Sequence, residues 1–148
     1  MINDRIIEIA KIQGSLFEYS CKKRECASSF FIKQFLYSSL AKRMNDINFL
    51  YESSSITDLY NELSKEKKLN VGKEIYPEAV MYWIGYLLAV MAINNNYSPQ
   101  QIYRIITPKE LFISYEAYHS FNVEDAIDRI IESKMNNKND LELFKTTR

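Results

Sequence analysis

From Ala79 to Ile93 no residue carries a charge, in a chain where 26% of residues do. The surrounding stretch, PEAVMYWIGYLLAVMAI from Pro77 to Ile93, reads as a helix apolar on every side, which outside a membrane must be buried on most of its faces. At about 1.5 Å per residue the uncharged part reaches roughly 22 Å, short of the roughly 30 Å hydrocarbon layer of a bilayer. It is therefore read as a central core helix and not as a membrane span. Val80, Ile84, Leu87, Leu88 and Met91 form a bulky stripe, with Gly85, Ala89 and Ala92 as a small-residue stripe beside it. Glycine inside a helix costs about 1 kcal/mol relative to alanine. Gly85 is thus expected to lie where a second helix crosses closely.

The chain has 148 residues, the size of one domain. Three glycines and three prolines leave few turns, which favours helices over a many-stranded sheet. The expected fold is all-α: a compact single-domain bundle of about six or seven helices around the buried central one. Its parts are an N-terminal helical arm over 1–27, a helical core domain over 28–133 and a polar, mobile tail over 134–148. In the arm, Asn3 or Asp4 caps a helix with Ile6, Ile9, Ala10, Leu16 and Phe17 at helical spacing, weakened at Gly14 and closed by CKKRE. It is either an ordinary core helix or a docking arm for a partner or a second copy. Ser28 or Ser29 is expected to cap one long amphipathic helix, FFIKQFLYSSLAKRMND, and Ser55 a short one, ITDLYNELSKE. After the asparagines at 94–96, Ser98-Pro99-Gln100-Gln101 and Thr107-Pro108-Lys109-Glu110 each place a hydroxyl cap, a proline and a Gln or Glu in capping-box order. These start helices over Ile102 to Ile106 and over Leu111, Phe112, Tyr115 and Tyr118, and Asn122 caps a last helix, VEDAIDRIIESK.

Nothing in the sequence builds an obvious reaction centre. Cys21, Cys26 and the sole histidine, His119, are too few for a four-ligand zinc site, and no glycine-rich phosphate loop, metal cluster or cofactor motif is present. Cysteines this sparse and an acid-containing N-terminus, MINDRIIEIAK, point to reduced thiols and a cytoplasmic protein. A Ser-His or Cys-His arrangement would have to use His119, which stands at a helix end where histidine usually donates to a carbonyl. Glu124, Asp128 and Glu132 read as a solvated helix face, and the KEKK run at Lys65 to Lys68 as a solvated loop. Neither catalysis nor a metal or cofactor is therefore assigned. A DNA-binding regulator is the alternative reading, with SPQQIYRII as half of a helix-turn-helix. It would offer only Gln100, Gln101 and Arg104, in a chain whose 19 basic and 19 acidic residues cancel.

Tyrosine is concentrated in the C-terminal half: Tyr82, Tyr86, Tyr97, Tyr103, Tyr115 and Tyr118, with Trp83 among them. Such rings serve either an aromatic core or a protein interface, and both uses are expected. Because the central helix is buried, a partner surface has to come from elements leaning on it. Tyr103, Tyr115 and Tyr118 on the two capped helices, Tyr86 between them and His119 at the end are the candidate partner-binding residues. Ile6, Ile9 and Phe17 offer a rival surface, for self-association through the N-terminal helix.

Three segments, FFIKQFLYSSLAKRMND, YPEAVMYWIGYLLAV and SPQQIYRIITPKELFISYEAYHSFNVEDAIDRIIE, together resemble a family of small helical bacterial proteins. Their genes often lie beside ADP-ribosyltransferase-like toxins, and they are thought to act as the antitoxin or accessory component. The resemblance spans about Ser29 to Glu132, and its marks are Trp83-Ile84-Gly85-Tyr86, Tyr103 after the Ser-Pro cap, and Tyr118-His119 before Ala126, Ile127, Arg129 and Ile130. Where the resemblance leads one to expect a basic residue after the Gly-Tyr, Leu87, Leu88 and Ala89 stand. It implies a non-catalytic protein that binds a toxin and occludes its active cleft.

Overall fold

The computed structural model describes residues 2–146, with side chains described for 2–136. The order is α1 (Asp4–Lys23), α2 (Ser28–Leu36), α3 (Ser39–Met44), a 3-10 helix (Ile47–Glu52), α4 (Ile56–Glu66), α5 (Glu78–Ile93), α6 (Pro99–Ile105), α7 (Pro108–Tyr118) and α8 (Val123–Thr146). The fold is all-α, with no strand among the described residues. It has more helices than expected, and α8 continues beyond the Lys134 end read from the sequence. The mobility expected of 134–148 falls mostly on side chains outside the described residues.

α5 is the centre. Val80, Met81, Ile84, Gly85 and the run Leu87 to Ala92 are buried, and α1, α6, α7 and α8 all pack on it. Its closest partner is α1, and the two glycines meet at their crossing. A Cβ on Gly85 would lie 2.6 Å from the Gln13 carbonyl oxygen and 3.0 Å from the Gly14 Cα. A Cβ on Gly14 would lie 3.0 Å from the Tyr82 carbonyl oxygen. The close approach foreseen at Gly85 is present, and it explains why α1 runs unbroken through Gly14: that residue lets the backbones approach. Asn3 caps α1 by accepting from the Ile6 amide at 3.0 Å.

Phe17 lies against this crossing, and Ile6, Ile9 and Phe17 are each buried in the core. Docking through those side chains, on a partner or a second copy, is thereby corrected: the sequence showed an apolar face, and the chain's own core covers it. Residues of 1–27 share one apolar core with those of 28–133. Phe17 stands edge-on to Phe31 and Phe35, with ring centroids 5.2 and 5.0 Å away, which ties α1 to α2.

The single long helix expected over 30–46 is two, broken at Tyr37 and Ser38. The buried Ser38 hydroxyl donates to the Phe35 carbonyl at 2.6 Å and accepts from the Ala41 amide at 3.1 Å. A serine that bonds both the preceding turn and the following one offers the backbone an alternative to the continuous ladder. Glu66, at the end of α4, then accepts from the Ser39 amide and hydroxyl, at 2.8 and 2.6 Å. These bonds, the hydroxyl's first, hold its carboxyl below the usual carboxylate range.

The expected cap at Ser28 or Ser29 is also corrected. Ala27 occupies the cap position of α2 and makes no side-chain bond there. The extended connector after α4 takes that role instead, its Val71 and Glu74 carbonyls accepting from the Ala27 and Ser28 amides at 2.9 Å each. The Ser28 hydroxyl accepts from the Tyr76 amide at 2.9 Å, which pins the connector to α2. Gly72, at φ +81°, lets the connector pass with room for no side chain, since its Cβ would lie 2.6 Å from that of Ala27.

Candidate protein-binding face

Both capping boxes form as the sequence prescribes, Ser98 with Gln101 on α6 and Thr107 with Glu110 on α7. The helix that the second one starts packs on α5 and α2. Leu111 points fully inward, while Phe112 is 40% and Ile113 60% exposed. Glu116 and Ala117, one turn on, are exposed as well, so one side of α7 faces solvent.

Tyr115 is half-buried between two rings. Trp83 of α5 meets it edge-on at 5.7 Å, and His119 stacks on it at 4.2 Å with 12° between the planes. The Nδ1 of His119 is 2.7 Å from the Tyr115 carbonyl oxygen. A carbonyl can only accept, so the neutral imidazole carries its proton on Nδ1 and leaves Nε2 as an acceptor. Here histidine closes a helix C-terminus and extends an aromatic stack to the surface. Phe121, 40% exposed in the turn before α8, lies 5.9 Å from the ring of Tyr118 and carries the Arg129 guanidinium at 4.8 Å.

The five residues singled out from the sequence do not form one cluster. Among the described ring contacts only Tyr115 and His119 touch each other. Tyr118 belongs to the adjoining Phe121–Arg129 group. Tyr103 stands at another edge, where Tyr37 meets it at 5.5 Å and the Lys33 ammonium lies 6.0 Å from its ring centroid. Tyr86 pairs with Tyr82 at 6.4 Å beside the α1–α5 crossing. Burial, and then Tyr82, raises the Tyr86 phenol above its ordinary pKa.

Phe112, Ile113 and Phe121 were not among the residues predicted to bind. Helical arithmetic could have found one of them: Leu111, Tyr115 and Tyr118 follow i, i+4, i+7, and Ile113 lies about 200° around the helix from Leu111. Phe121 follows α7 and gave no periodic signal.

Cys21 and Cys26 are free thiols, both buried. Burial raises both pKa values, that of Cys26 to about 11, so the thiolate needed for nucleophilic attack is scarce at neutral pH. No group of three His, Cys, Asp or Glu side chains among the described residues is placed to hold a metal ion. No described helix is long and apolar enough to cross a membrane. The helix-turn-helix candidate is short: α6 spans seven residues, and the Gln101 side chain is spent accepting from the Ser98 amide at 2.8 Å.

No family model matches the chain, and neither a curated protein nor a solved structure matches it significantly.

Proposed function

We propose that this chain is a non-catalytic, antitoxin-like protein-binding module that covers the active cleft of a partner protein with α7 and the turn that follows it. The observation that carries the proposal is the exposure of three large apolar side chains, Phe112, Ile113 and Phe121, on one helix and its exit turn. Contiguous exposed apolar side chains rimmed by polar ones are a mark of protein-binding surfaces. Rings with a polar edge, such as tyrosine and histidine, supply large contact area at small cost in rotamer freedom. The antitoxin role adds the sequence resemblance, whose Tyr118-His119 mark falls at the end of this same helix.

The decisive experiment is co-expression with the toxin-like product of a neighbouring gene, followed by size-exclusion chromatography and an assay of that product's activity. The expected result is a stoichiometric complex in which the activity is lost. A partner that co-elutes yet keeps full activity would leave a binding protein but remove the cleft-covering role. No complex at all with such a product would remove the antitoxin role.

A further inference from the structure

A second feature lies away from α7. α6 and α8 both rest on α5, and between them opens a slot of about 410 Å³ lined by Tyr97, Arg104, Ile105, Ile131, Lys134 and Met135. That size falls in the lower part of the roughly 300–1,000 Å³ range of small-molecule sites. Its walls are mostly apolar: the two isoleucines, the methionine thioether and the tyrosine ring. Among the described residues its lining carries two cations and no acid. One cation is already matched, because the Lys134 ammonium is held by Glu110, whose other oxygen accepts from the Thr107 amide. Arg104 is not: it makes no hydrogen bond, ion pair or ring contact among the described residues.

We infer that this slot is a binding site for a small carboxylate with a short aliphatic chain. Arg104 takes the carboxylate through the two parallel N–H donors of its guanidinium, a geometry suited to a planar anion. Ile105, Ile131 and Met135 take the aliphatic chain, and the flexible Met135 adapts to its shape. A phosphate-rich ligand fits less well, since one uncommitted guanidinium over aliphatic walls would leave most of its charge uncompensated.

The test titrates the full-length, ¹⁵N-labelled protein with octanoate, and in separate series with octanol and with acetate, following backbone amide shifts. Octanoate is expected to produce saturable shifts at Tyr97, Arg104, Ile105, Ile131 and Lys134, while neither the neutral chain nor the bare anion binds comparably. Arg104→Gln, at an exposed position, is expected to weaken octanoate by about tenfold or more, the scale of losing a charge-assisted pair. Arg104→Lys, which keeps the charge and loses the fork, should fall between. Octanol binding as tightly as octanoate, an unaffected Arg104→Gln variant, shifts that map elsewhere, or no saturation by about 10 mM, a concentration well above a millimolar dissociation constant, would each overturn the site.

Discussion

The side-chain amide of Gln13 donates to the carbonyl oxygen of Gly85 at 2.9 Å, across the crossing of α1 and α5. The bond satisfies a side chain that is only 3% exposed, at the place where the two backbones are closest. Gly85→Leu should therefore be strongly destabilising. Its Cβ alone would press on the Gln13 backbone and the Phe17 ring, and overpacking of this kind costs about 1–3 kcal/mol or more. A thermal melt of the variant reads this directly, and an unchanged melting temperature would mean that the crossing is looser than described. Gln13→Leu removes this second bond while the Gly85 carbonyl keeps its place in the ladder of α5, and should cost about 0.5–1.5 kcal/mol by a different route.

The centre of the fold was legible because burial leaves a composition signal. An uncharged run too short for a bilayer has to be a core helix, and a glycine inside it has to have a neighbour. The two capping boxes were legible because their partners lie three residues apart. What stayed hidden depends on residues distant in sequence. Nothing local announces that Val71 and Glu74 replace a serine cap on α2, or that the chain's own core consumes the apolar face of α1. The break at Ser38 has neither glycine nor proline to mark it, only a hydroxyl that turns out to be buried. For the candidate face, the sequence named Tyr115, Tyr118 and His119, which the structure puts on α7 and at its cap. It added Tyr103 and Tyr86, which sit at other edges, because composition counts tyrosines without locating them.

Glu66 gives a pH dependence. Its folded-state pKa is depressed, chiefly by the Ser39 hydroxyl and then by the Ser39 amide, against a desolvation cost. A depressed carboxylate adds stability that is fully present above its unfolded value, about 4.3, and is lost as pH falls through the lower folded value. Glu66→Gln should therefore lower the urea midpoint at pH 7, and the gap from the parent should shrink steadily below about pH 4. A gap that stays constant down to pH 2.5 would assign the effect to the lost side-chain geometry and not to charge.

The two thiols give a chemical probe of the core. Cys26 is pushed up to about 11 by burial and then by Glu25, and Cys21 is raised mainly by burial. Both are nearly inaccessible. Alkylation at pH 8 should be slow in the native protein, and the thiols should become reactive in step with unfolding by urea. Rapid labelling of either cysteine in the native protein would show that the end of α1 opens readily.

Ile113→Glu is the sharpest probe of the proposed interface. The side chain is 60% exposed, so the change should alter stability by no more than about 0.5 kcal/mol. A charge at the middle of a docked apolar face would instead be desolvated on binding, and the affinity for a cognate partner should fall by about tenfold or more. Tyr115→Ala and Tyr118→Ala behave differently, because both rings are half-buried. Tyr115→Ala removes the edge-on contact with Trp83 and the stack with His119, so about 0.5–1.5 kcal/mol of stability should go with the binding. Tyr118→Ala loses its ring contact with Phe121 and should follow the same pattern more mildly. His119→Gln keeps a donor for the Tyr115 carbonyl and should weaken the complex only through the lost stack. Circular dichroism melts beside calorimetric titrations separate the two effects. Full binding by a folded Ile113→Glu variant would move the interface off α7, with the Tyr37–Tyr103 edge as the next surface to test.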